Sequence, residues 1–395
     1  MSQIRELIDE IDHQLMKKNY EASKDVINLV GKFVKDKELI LYGGFALNIL
    51  LPKKNQFYKE YTVNDYDCFS SNAKEDANEL ATLLQKSGYK YIKVRKALHD
   101  STFKVFVEFV PVLDITQLTK HQYENFLKIS KTERKSPIYK NYKEDYVISP
   151  YSFLMSNMHF ELSRPLSSYY RWEKIYRRQS VFAKLINPHK SLKNKITNDN
   201  KDKKIEKTII NYIKENKLII VNEYALKYHG IKDVESDNVA ILSKDIEKTK
   251  KTFDKYLKTN FGNYKIITEY DTFSSELMYH NYSITIINKE NQQRFMITII
   301  DASKDCLSIV TKRNMNIGSL NTIMFFLYRK FLLQQISGNP NKQLWDIIKY
   351  AENHVQEKMI LNPKQLLSTS CYGVNHSLQE VLVNKWKQKQ TLKYY

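Results

Sequence analysis

The sequence predicts a mixed α/β protein of the α+β class, built from two tandem copies of one domain in which a small mixed sheet packs against helices. Its 395 residues are 42% hydrophobic, which suffices for two ordinary cores and makes two domains the expected organisation. Helical and strand-like hydrophobic spacings alternate along the chain. The same order of elements then recurs in the second half, and a repeat of such a long period indicates a duplicated domain rather than a solenoid.

The first elements surround a glycine pair. Residues 1–37 carry apolar side chains at helical spacing, which predicts two amphipathic helices. The segment "ELILY" follows and predicts the first strand. Gly43 and Gly44 then predict a tight turn into a short helix, and Pro52 ends that helix because proline has no backbone N–H to donate.

The next elements alternate between strand and helix. A strand is predicted for "VNDYDCFS" and a helix from Ala73 to Gly88. Two β-rich runs, "YKYIKVRKAL" and "STFKVFVEFVPVLDIT", then predict the two arms of a hairpin joined at "HDS". We therefore predict N-terminal helices over 1–37, a first domain with its following helices over 38–186, a charged linker over 187–207, a second domain over 208–357 and a C-terminal tail over 358–395.

The second copy keeps the layout of the first but keeps a counterpart for only one of its three aspartates, Asp114. "LIIVNEYALKYHG" repeats the pattern of "LILYGGFALNILL", and "SDNVAILS" stands where "VNDYDCFS" stood. We therefore predict a degenerate second copy and place any chemistry in the first. Alignment by eye pairs Gly43 with Asn222, Gly44 with Glu223, Asp65 with Asn238, Asp67 with Ala240, and Asp114 with Asp301.

Composition bounds the partners and the compartment. The chain has 63 Lys and Arg against 44 Asp and Glu, a net charge of +19, which favours polyanionic partners and nucleic acid first. An AT-rich coding bias is the alternative explanation of this composition. No run of about eighteen apolar residues or N-terminal leader pattern is present, so neither a membrane span nor a signal peptide is expected. Three cysteines with no CxxC spacing favour a reducing compartment and no zinc site.

Three aspartates of the first copy have the spacing of a metal site. Residues two apart in a strand point to the same face, so Asp65 and Asp67 project together. Asp114 closes another strong strand and can lie beside them. Crowded carboxylates repel unless a cation lies among them, and oxygen ligands suit Mg²⁺ or Mn²⁺. Gly43 and Gly44 would let backbone amides at the helix start approach a triphosphate.

The motifs "LYGGFALN", "NDYDCF" and "VLDIT" resemble the signature of the DNA polymerase β-like nucleotidyltransferase superfamily. The duplicated layout on a basic chain further resembles the poly(A) polymerase catalytic subunits of poxviruses and giant DNA viruses. This resemblance implies template-independent addition of AMP from ATP to RNA 3′ ends with two Mg²⁺ or Mn²⁺ ions and release of pyrophosphate. It also implies a homodimer or a viral processivity partner, and a place in the host cytoplasm, the viral factory or the virion.

The resemblance also implies a role for each matching residue. Asp65 and Asp67 would hold both ions, and Asp114 would hold the catalytic ion and help to activate the RNA 3′-hydroxyl. Gly43 and Gly44 would bind the triphosphate. Asn48 is a further candidate for nucleotide contact, although the long "PKKNQFYKEYTV" insertion departs from the usual spacing of the superfamily. From the hairpin itself, Lys104 and Arg95 are candidates to reach the triphosphate.

A basic segment from Ser163 is the candidate RNA contact. Its cations alternate with aromatic rings, a combination that suits single-stranded nucleic acid. Tyr169, Trp172 and Tyr176 also form a helical stripe, so we expect the rings to face the core and the cations to contact RNA. The candidate RNA-binding residues are Arg164, Arg171, Lys174, Arg177 and Arg178.

Two other functions fit the same sequence. One is a nucleotidyltransferase with a different acceptor, such as a tRNA end or a small molecule. The other is a non-catalytic RNA-binding subunit in which both copies are inactive. The intact set of Asp65, Asp67 and Asp114 favours catalysis over the second alternative.

Overall fold

The computed structural model describes residues 2–58, 61–62, 65–97, 101–140, 142–192, 202–271, 279–290, 292–361, 366–374, 379–380 and 383. The chain divides into two compact units, residues 1–154 and residues 155–395. The predicted linker over 187–207 falls inside the second unit, where a helix begins at Lys203, and its residues 193–201 lie outside the described part.

A six-stranded mixed sheet organises the first unit. Its strands follow the spatial order β3-β4-β5-β2-β1-β6, in which β2 runs parallel to β5, and β1 runs parallel to β6. The elements are α1 (Ser2–Asp36), β1 (Ile40–Tyr42), α2 (Gly43–Leu50), β2 (Tyr66–Ser70), α3 (Ala73–Lys86), β3 (Lys93–Lys96), β4 (Thr102–Val107), β5 (Val110–Gln117), α4 (Lys120–Glu133), β6 (Val147–Ile148) and the start of α5 (Tyr151–Leu162), whose residues 155–162 belong to the second unit.

The N-terminal segment is one helix of 35 residues, so the prediction of two helices is wrong. The polar stretch from Lys17 to Asp25 separates the two apolar runs but contains neither proline nor glycine, so nothing interrupts the backbone ladder. The second half of α1 packs into the core through side chains that include Val30 and Val34. Its first half leaves an apolar stripe exposed, with Ile4 at 65%.

The run "STFKVFVEFVPVLDIT" forms two strands, which the sequence analysis read as one arm of a hairpin. Val107 pairs with Val110, so Glu108 and Phe109 alone make the turn. Both turn residues have positive φ, +49° and +70°, a conformation usually given to Asn-Gly. The sequence showed no such signal. As a result Asp114 lies within β5 rather than at its end.

The second unit repeats this plan around an eight-stranded sheet, ordered β14-β12-β13-β7-β8-β11-β10-β9. Its β7, β8, β11, β10 and β9 pair as β1, β2, β5, β4 and β3 do, and β13 runs parallel to β7 as β6 does to β1. The elements are α6 (Trp172–Phe182), α7 (Lys203–Glu215), β7 (Ile219–Ile220), β8 (Asn238–Ser243), α8 (Ile246–Asn260), β9 (Lys265–Asp271), β10 (Asn281–Ile287), β11 (Arg294–Asp301), β12 (Leu307–Lys312), β13 (Met315–Gly318), α9 (Leu320–Ile336), α10 (Lys342–Leu361) and β14 (Cys371–Tyr372).

The α+β class and the duplicated sheets are thus as the sequence predicted. The predicted tail over 358–395 is partly structured, since α10 continues to Leu361 and β14 pairs with β12. Cys306 and Cys371 form a disulfide and Cys68 is a buried free thiol, a pairing that the reducing-compartment prediction did not anticipate. No helix in the described part of the chain combines the length and the apolar character needed to cross a membrane.

A buried polar network holds four helices of the second unit together. The carboxylate of Glu352, on α10, lies 3.0 Å from Nε2 of His159 and accepts a hydrogen bond of 3.1 Å from the hydroxyl of Tyr328. Gln179, on α6, donates to the other carboxylate oxygen. Nδ1 of His159 lies 3.0 Å from Oδ1 of Asn321, on α9. His159 and Glu352 are fully buried, so each needs the other as a partner.

Candidate active site

Five residues of the first unit form a row across its sheet. In strand order they lie directly opposite one another, and opposite residues on neighbouring strands project to the same face. The row places the carboxylates of Asp67 and Asp114 side by side on two parallel strands, with basic side chains beyond Asp114. Its members are Tyr42 on β1, Asp67 on β2, Asp114 on β5, Lys104 on β4 and Arg95 on β3.

Lys104 neutralises part of the acidic pair. Its ammonium forms an ion pair with Oδ2 of Asp114, whose residue surface is only 9% exposed. The sequence analysis placed Lys104 near the triphosphate, whereas the structure shows that its first partner is a carboxylate of the site. Two adjacent carboxylates require a cation between or beside them. In this structure the lysine supplies one.

The glycine turn closes tightly over Asp67. Gly43 has φ of +72°, and a Cβ built on it would lie 2.2 Å from Oδ2 of Asp67. Glycine is therefore required twice, for its backbone conformation and for the space that the carboxylate occupies. Helix α2 starts at this residue. In the described structure the side chain of its N-cap residue, Tyr42, makes no capping hydrogen bond. The first amides of α2, which have no partner within the helix, thus lie beside the carboxylate of Asp67.

Asp65 takes a different position from the other two aspartates. It precedes β2 by one residue and its side chain is exposed, and residues 63–64 before it lie outside the described part. Within the described residues, no three His, Cys, Asp or Glu side chains are arranged to hold a metal ion. The structure therefore brings together two of the three predicted ligands. The carboxylates of Asp67 and Asp114 offer oxygen ligands, and Lys104 balances part of their charge. This chemistry fits a hard divalent cation such as Mg²⁺ or Mn²⁺.

Hydroxyl groups lie next to the row on the same face of the sheet. The hydroxyl of Tyr42 shares a hydrogen bond of 2.8 Å with Thr116, which shares one of 2.9 Å with Thr102. Burial, together with the nearby carboxylates of Asp67 and Asp114, raises the pKa of Tyr42 well above its usual value, so this hydroxyl stays protonated. Tyr42 also stacks on Phe69 at 4.2 Å between ring centroids. Sequence reasoning missed this residue, because a tyrosine before a glycine pair reads as ordinary strand.

Asn48 anchors the insertion that follows α2. It is buried, and its side-chain oxygen accepts hydrogen bonds from the backbone N–H groups of Phe57 and Tyr58, at 2.9 and 3.1 Å. Asn48 thus holds the loop over 51–58 against helix α2. Its predicted contact with the nucleotide stays a prediction.

The basic segment of the second unit is less available than its sequence suggests. Arg164 is paired with Glu161 at 2.7 Å and lies 4.0 Å from the ring centroid of Phe160. Arg171 also pairs with Glu161, at 3.4 Å, and Arg177 pairs with Glu173 at 2.6 Å. Arg178 is buried, and Lys174 lies on the same helix, α6. RNA binding by these five cations remains a prediction.

The predicted aromatic stripe of this segment is wrong for one of its members. Tyr169 is 63% exposed, because residues 169–171 form a 3-10 turn and α6 begins only at Trp172. The helical spacing therefore does not apply to Tyr169. Trp172 is half-buried and donates its indole N–H to the carbonyl of Glu161 at 3.0 Å.

Strand pairing corrects the alignment of the second copy. Ala240 lies opposite Thr298 on β11, just as Asp67 lies opposite Asp114. Thr298, rather than Asp301, therefore occupies the position of Asp114. The second unit has lost all three carboxylates at this site.

The remaining side chains of the degenerate site satisfy one another. The amide of Asn222 donates to the carbonyl of Asn238 at 3.0 Å, and the hydroxyl of Thr298 lies 3.3 Å from Oδ1 of Asn238. Asn222 has an ordinary φ of −112° where Gly43 has +72°. Burial would raise the pKa of Glu223, which stands for Gly44, but its ion pair with Lys330 lowers it instead. The set holds a single carboxylate, that of Glu223, and Lys330 already pairs with it.

Comparisons with known proteins show which family the first unit is similar to. Residues 28–168 match the family model described as the poly(A) polymerase catalytic subunit, a range that includes the whole acidic row and the glycine turn. An African swine fever virus protein, provisionally named as a poly(A) polymerase catalytic subunit, is 35% identical over 117 residues, or 28% of this chain and 25% of that relative. A protein of Acanthamoeba polyphaga mimivirus with the same provisional name is 31% identical over 94 residues, or 23% of this chain and 16% of that relative.

The solved structure of a Megavirus polyadenylate synthase has the same fold, with a TM-score of 0.75 at 19% identity over 99% of this chain and 83% of that chain. The resemblance inferred from the motifs is thereby confirmed. The chain spans about a quarter of the length of the curated relatives that it matches first.

Proposed function

We propose that the chain is a polynucleotide adenylyltransferase, which adds AMP from ATP to RNA 3′ ends without a template and releases pyrophosphate. The observation that carries this proposal is the pairing of Asp67 with Asp114 on adjacent parallel strands, directly beside the Gly43 turn. This arrangement lies inside the part of the chain that matches the poly(A) polymerase family model.

The carboxylates would hold the divalent ions of the reaction. Asp67 and Asp114 would be the central ligands, and Asp65, which is exposed at the start of β2, would complete the site. Bound Mg²⁺ or Mn²⁺ would activate the RNA 3′-hydroxyl and stabilise the charge on the departing pyrophosphate. Lys104 would then leave Asp114 and become free to pair with an anionic group of the substrate, because its long side chain is a mobile point charge.

The backbone of the glycine turn would bind the triphosphate. Amides at the start of α2 donate hydrogen bonds and carry the positive end of the helix dipole. Phosphoryl transfer depends mainly on positioning and on electrostatic stabilisation. The tight contact between Gly43 and Asp67 fixes the turn relative to the carboxylates, which sets the place of the reacting phosphate.

Charge supports RNA as the acceptor. A net charge of +19 favours binding of a polyanion through counterion release. We propose that the second unit acts as a structural partner of the first, since its site has lost the carboxylates. The same proposal includes the place of action, which is the host cytoplasm, the viral factory or the virion. It also includes a homodimer or a processivity partner.

A four-nucleotide extension assay tests this function. The protein is incubated with an RNA oligonucleotide, Mg²⁺ or Mn²⁺, and labelled ATP, CTP, GTP or UTP in turn; long tails from ATP alone are expected. Asp67→Asn should abolish extension and spare RNA affinity, because the basic surface supplies most of the non-specific binding. Transfer to a tRNA end or a small molecule without long tails would favour the other acceptors. RNA binding that no aspartate variant alters, without any transfer, would favour the non-catalytic subunit.

A further inference from the structure

Two aromatic rings lie exposed together at one corner of the first sheet. Phe109, in the turn between β4 and β5, is 82% exposed, and Tyr91, just before β3, is 71% exposed. Their rings stack, with centroids 5.8 Å apart and planes inclined by 24°. Large rings usually bury most of their surface. This pair contributes little to the core, so its exposure calls for another explanation.

The backbone beneath the rings is strained. Phe109 has φ of +70°, Glu108 of +49° and Tyr91 of +50°. Side chains other than glycine, asparagine and aspartate rarely adopt this region, and such strain clusters where it serves function. Glycine would relieve it at any of the three positions. The chain instead presents a phenylalanine and a tyrosine to solvent.

Cations connect this corner with the acidic row. Lys93 and Arg95 project to the same face of β3, and Arg95 lies opposite Lys104, the partner of Asp114. Strand geometry places Lys93 roughly 12 Å from Asp114, from two residues along β3 and two strand spacings across the sheet, and Tyr91 precedes Lys93 by two residues. A few nucleotides of a single strand cross that distance. Lys96 is also exposed on this edge strand, while Glu108 is the acidic residue of the turn.

We propose that Tyr91 and Phe109 form a stacking platform for bases of single-stranded RNA a few nucleotides before its 3′ end, with Lys93 and Arg95 contacting the phosphates. The inference rests on the proposed function, since it assumes that RNA is the acceptor. Stacked rings beside cations suit single-stranded nucleic acid, because every base offers a flat face. A protein partner fits less well: the apolar patch consists of two rings and the half-exposed Val110, far less than a stable protein interface buries.

Equilibrium binding tests the platform without any need for catalysis. The affinity of a 5′-labelled oligoadenylate is measured by fluorescence anisotropy for the wild type, Tyr91→Ala, Phe109→Ala and their combination. Each alanine should weaken RNA binding by roughly ten-fold. Tyr91→Phe and Phe109→Tyr keep a ring and should bind as the wild type does. Tyr270→Ala is the matched control, because Tyr270 is an exposed tyrosine on β9, the edge strand of the other sheet, and should leave RNA affinity unchanged.

Abasic nucleotides then locate the contact. An abasic position a few nucleotides from the 3′ end should weaken binding to the wild type, with no further loss in the double alanine variant. In the extension assay the same variants should raise KM for RNA and leave KM for ATP unchanged. Full RNA affinity in the double variant would overturn the platform, whether or not the protein makes poly(A). Alanine variants that lose binding to a protein partner but keep full RNA affinity would also overturn the platform. Ring-dependent RNA binding in a protein that transfers no nucleotide would instead support the platform and refute the proposed reaction.

Discussion

Gly43→Ala tests whether the glycine turn positions Asp67. The new Cβ would lie 2.2 Å from Oδ2, 2.9 Å from Cγ and 3.1 Å from Cβ of Asp67, so the carboxylate has to move by about an ångström to reach ordinary contact. Positive φ adds about 1–2 kcal/mol of backbone strain for alanine. A shift of about 1 Å in a catalytic group lowers the rate about 100-fold. We therefore expect kcat/KM for ATP-dependent extension to fall by about 100-fold or more.

A matched variant separates the two effects. Gly88 also has positive φ, +88°, but a Cβ there would meet no atom within 4 Å. Gly88→Ala should lose about 1–2 kcal/mol of unfolding free energy and keep full activity. Urea denaturation measures the free energy of unfolding, and primer extension at several ATP concentrations measures kcat/KM. If Gly43→Ala extends RNA as fast as Gly88→Ala does, Asp67 does not depend on the turn and the positioning argument is wrong.

A double variant completes the test. Asp67→Ala in the Gly43→Ala background removes the atoms that the new Cβ would contact, the closest of which lies 2.2 Å away. Stability should recover by the part due to contact, while activity stays absent because a carboxylate is gone. The second unit already has this combination at the matching positions, with Ala240 in place of Asp67 and a non-glycine residue, Asn222, in place of Gly43. A double variant less stable than both single variants would contradict a direct contact.

Other residues give three further predictions. Glu352→Ala should lower the free energy of unfolding by about 3–5 kcal/mol in urea denaturation, because it leaves His159 buried without its carboxylate, whereas the shape-matched Glu352→Gln should cost less. Burial, with Lys312 nearby, lowers the pKa of His229 to about 3, so below about pH 6.5 the folded protein binds fewer protons than the unfolded chain. The free energy of unfolding should therefore fall by about 1.4 kcal/mol per pH unit as the pH drops from about 6.5 towards 3. His229→Gln should remove this fall, so its difference from the wild type in urea denaturation should be constant above about pH 6.5 and change below it. Lys104→Ala should tighten Mn²⁺ binding in calorimetry without nucleotide, because the ammonium no longer competes for Asp114; unchanged or weaker binding would show that the ion does not use this carboxylate.

The sequence predicted the parts of the site that follow from local pattern. Residues two apart in a strand, a glycine pair before a helix and a repeated order of elements are all readable without coordinates, and they identified Asp67, Gly43 and the duplication. The hairpin was missed because Glu108 and Phe109 lack the turn residues that their positive φ normally requires. The hydrogen bonds of Asn48 to Phe57 and Tyr58 were not predicted, because they depend on a loop with no regular pattern, and its contact with the nucleotide stays a prediction.

Register was the other limit. Pairing Asp114 with Asp301 matched two identical residues near the ends of similar strands, whereas the ladder pairs Thr298 with Ala240. Identity at one position says little when a strand can shift, because side-chain direction depends on the neighbouring strand. The basic segment shows a related limit: Arg164 and Arg171 both pair with Glu161 on α5, which the sequence did not indicate, and RNA binding by the segment stays a prediction. Charge patterns in a sequence do not show which cations are already paired.

The two units together separate what the fold requires from what the chemistry requires. Both keep the strand pairings from β1 or β7 outward, so the sheet does not depend on the acidic row. In the first unit a glycine and a buried carboxylate coexist, although glycine costs conformational entropy on folding and a buried carboxylate costs desolvation. In the second unit Asn222, Ala240 and Thr298 occupy the same places without positive φ and without charge. The first unit therefore retains a less stable arrangement that its own fold does not need, and the proposed binding of cations and a triphosphate would account for it.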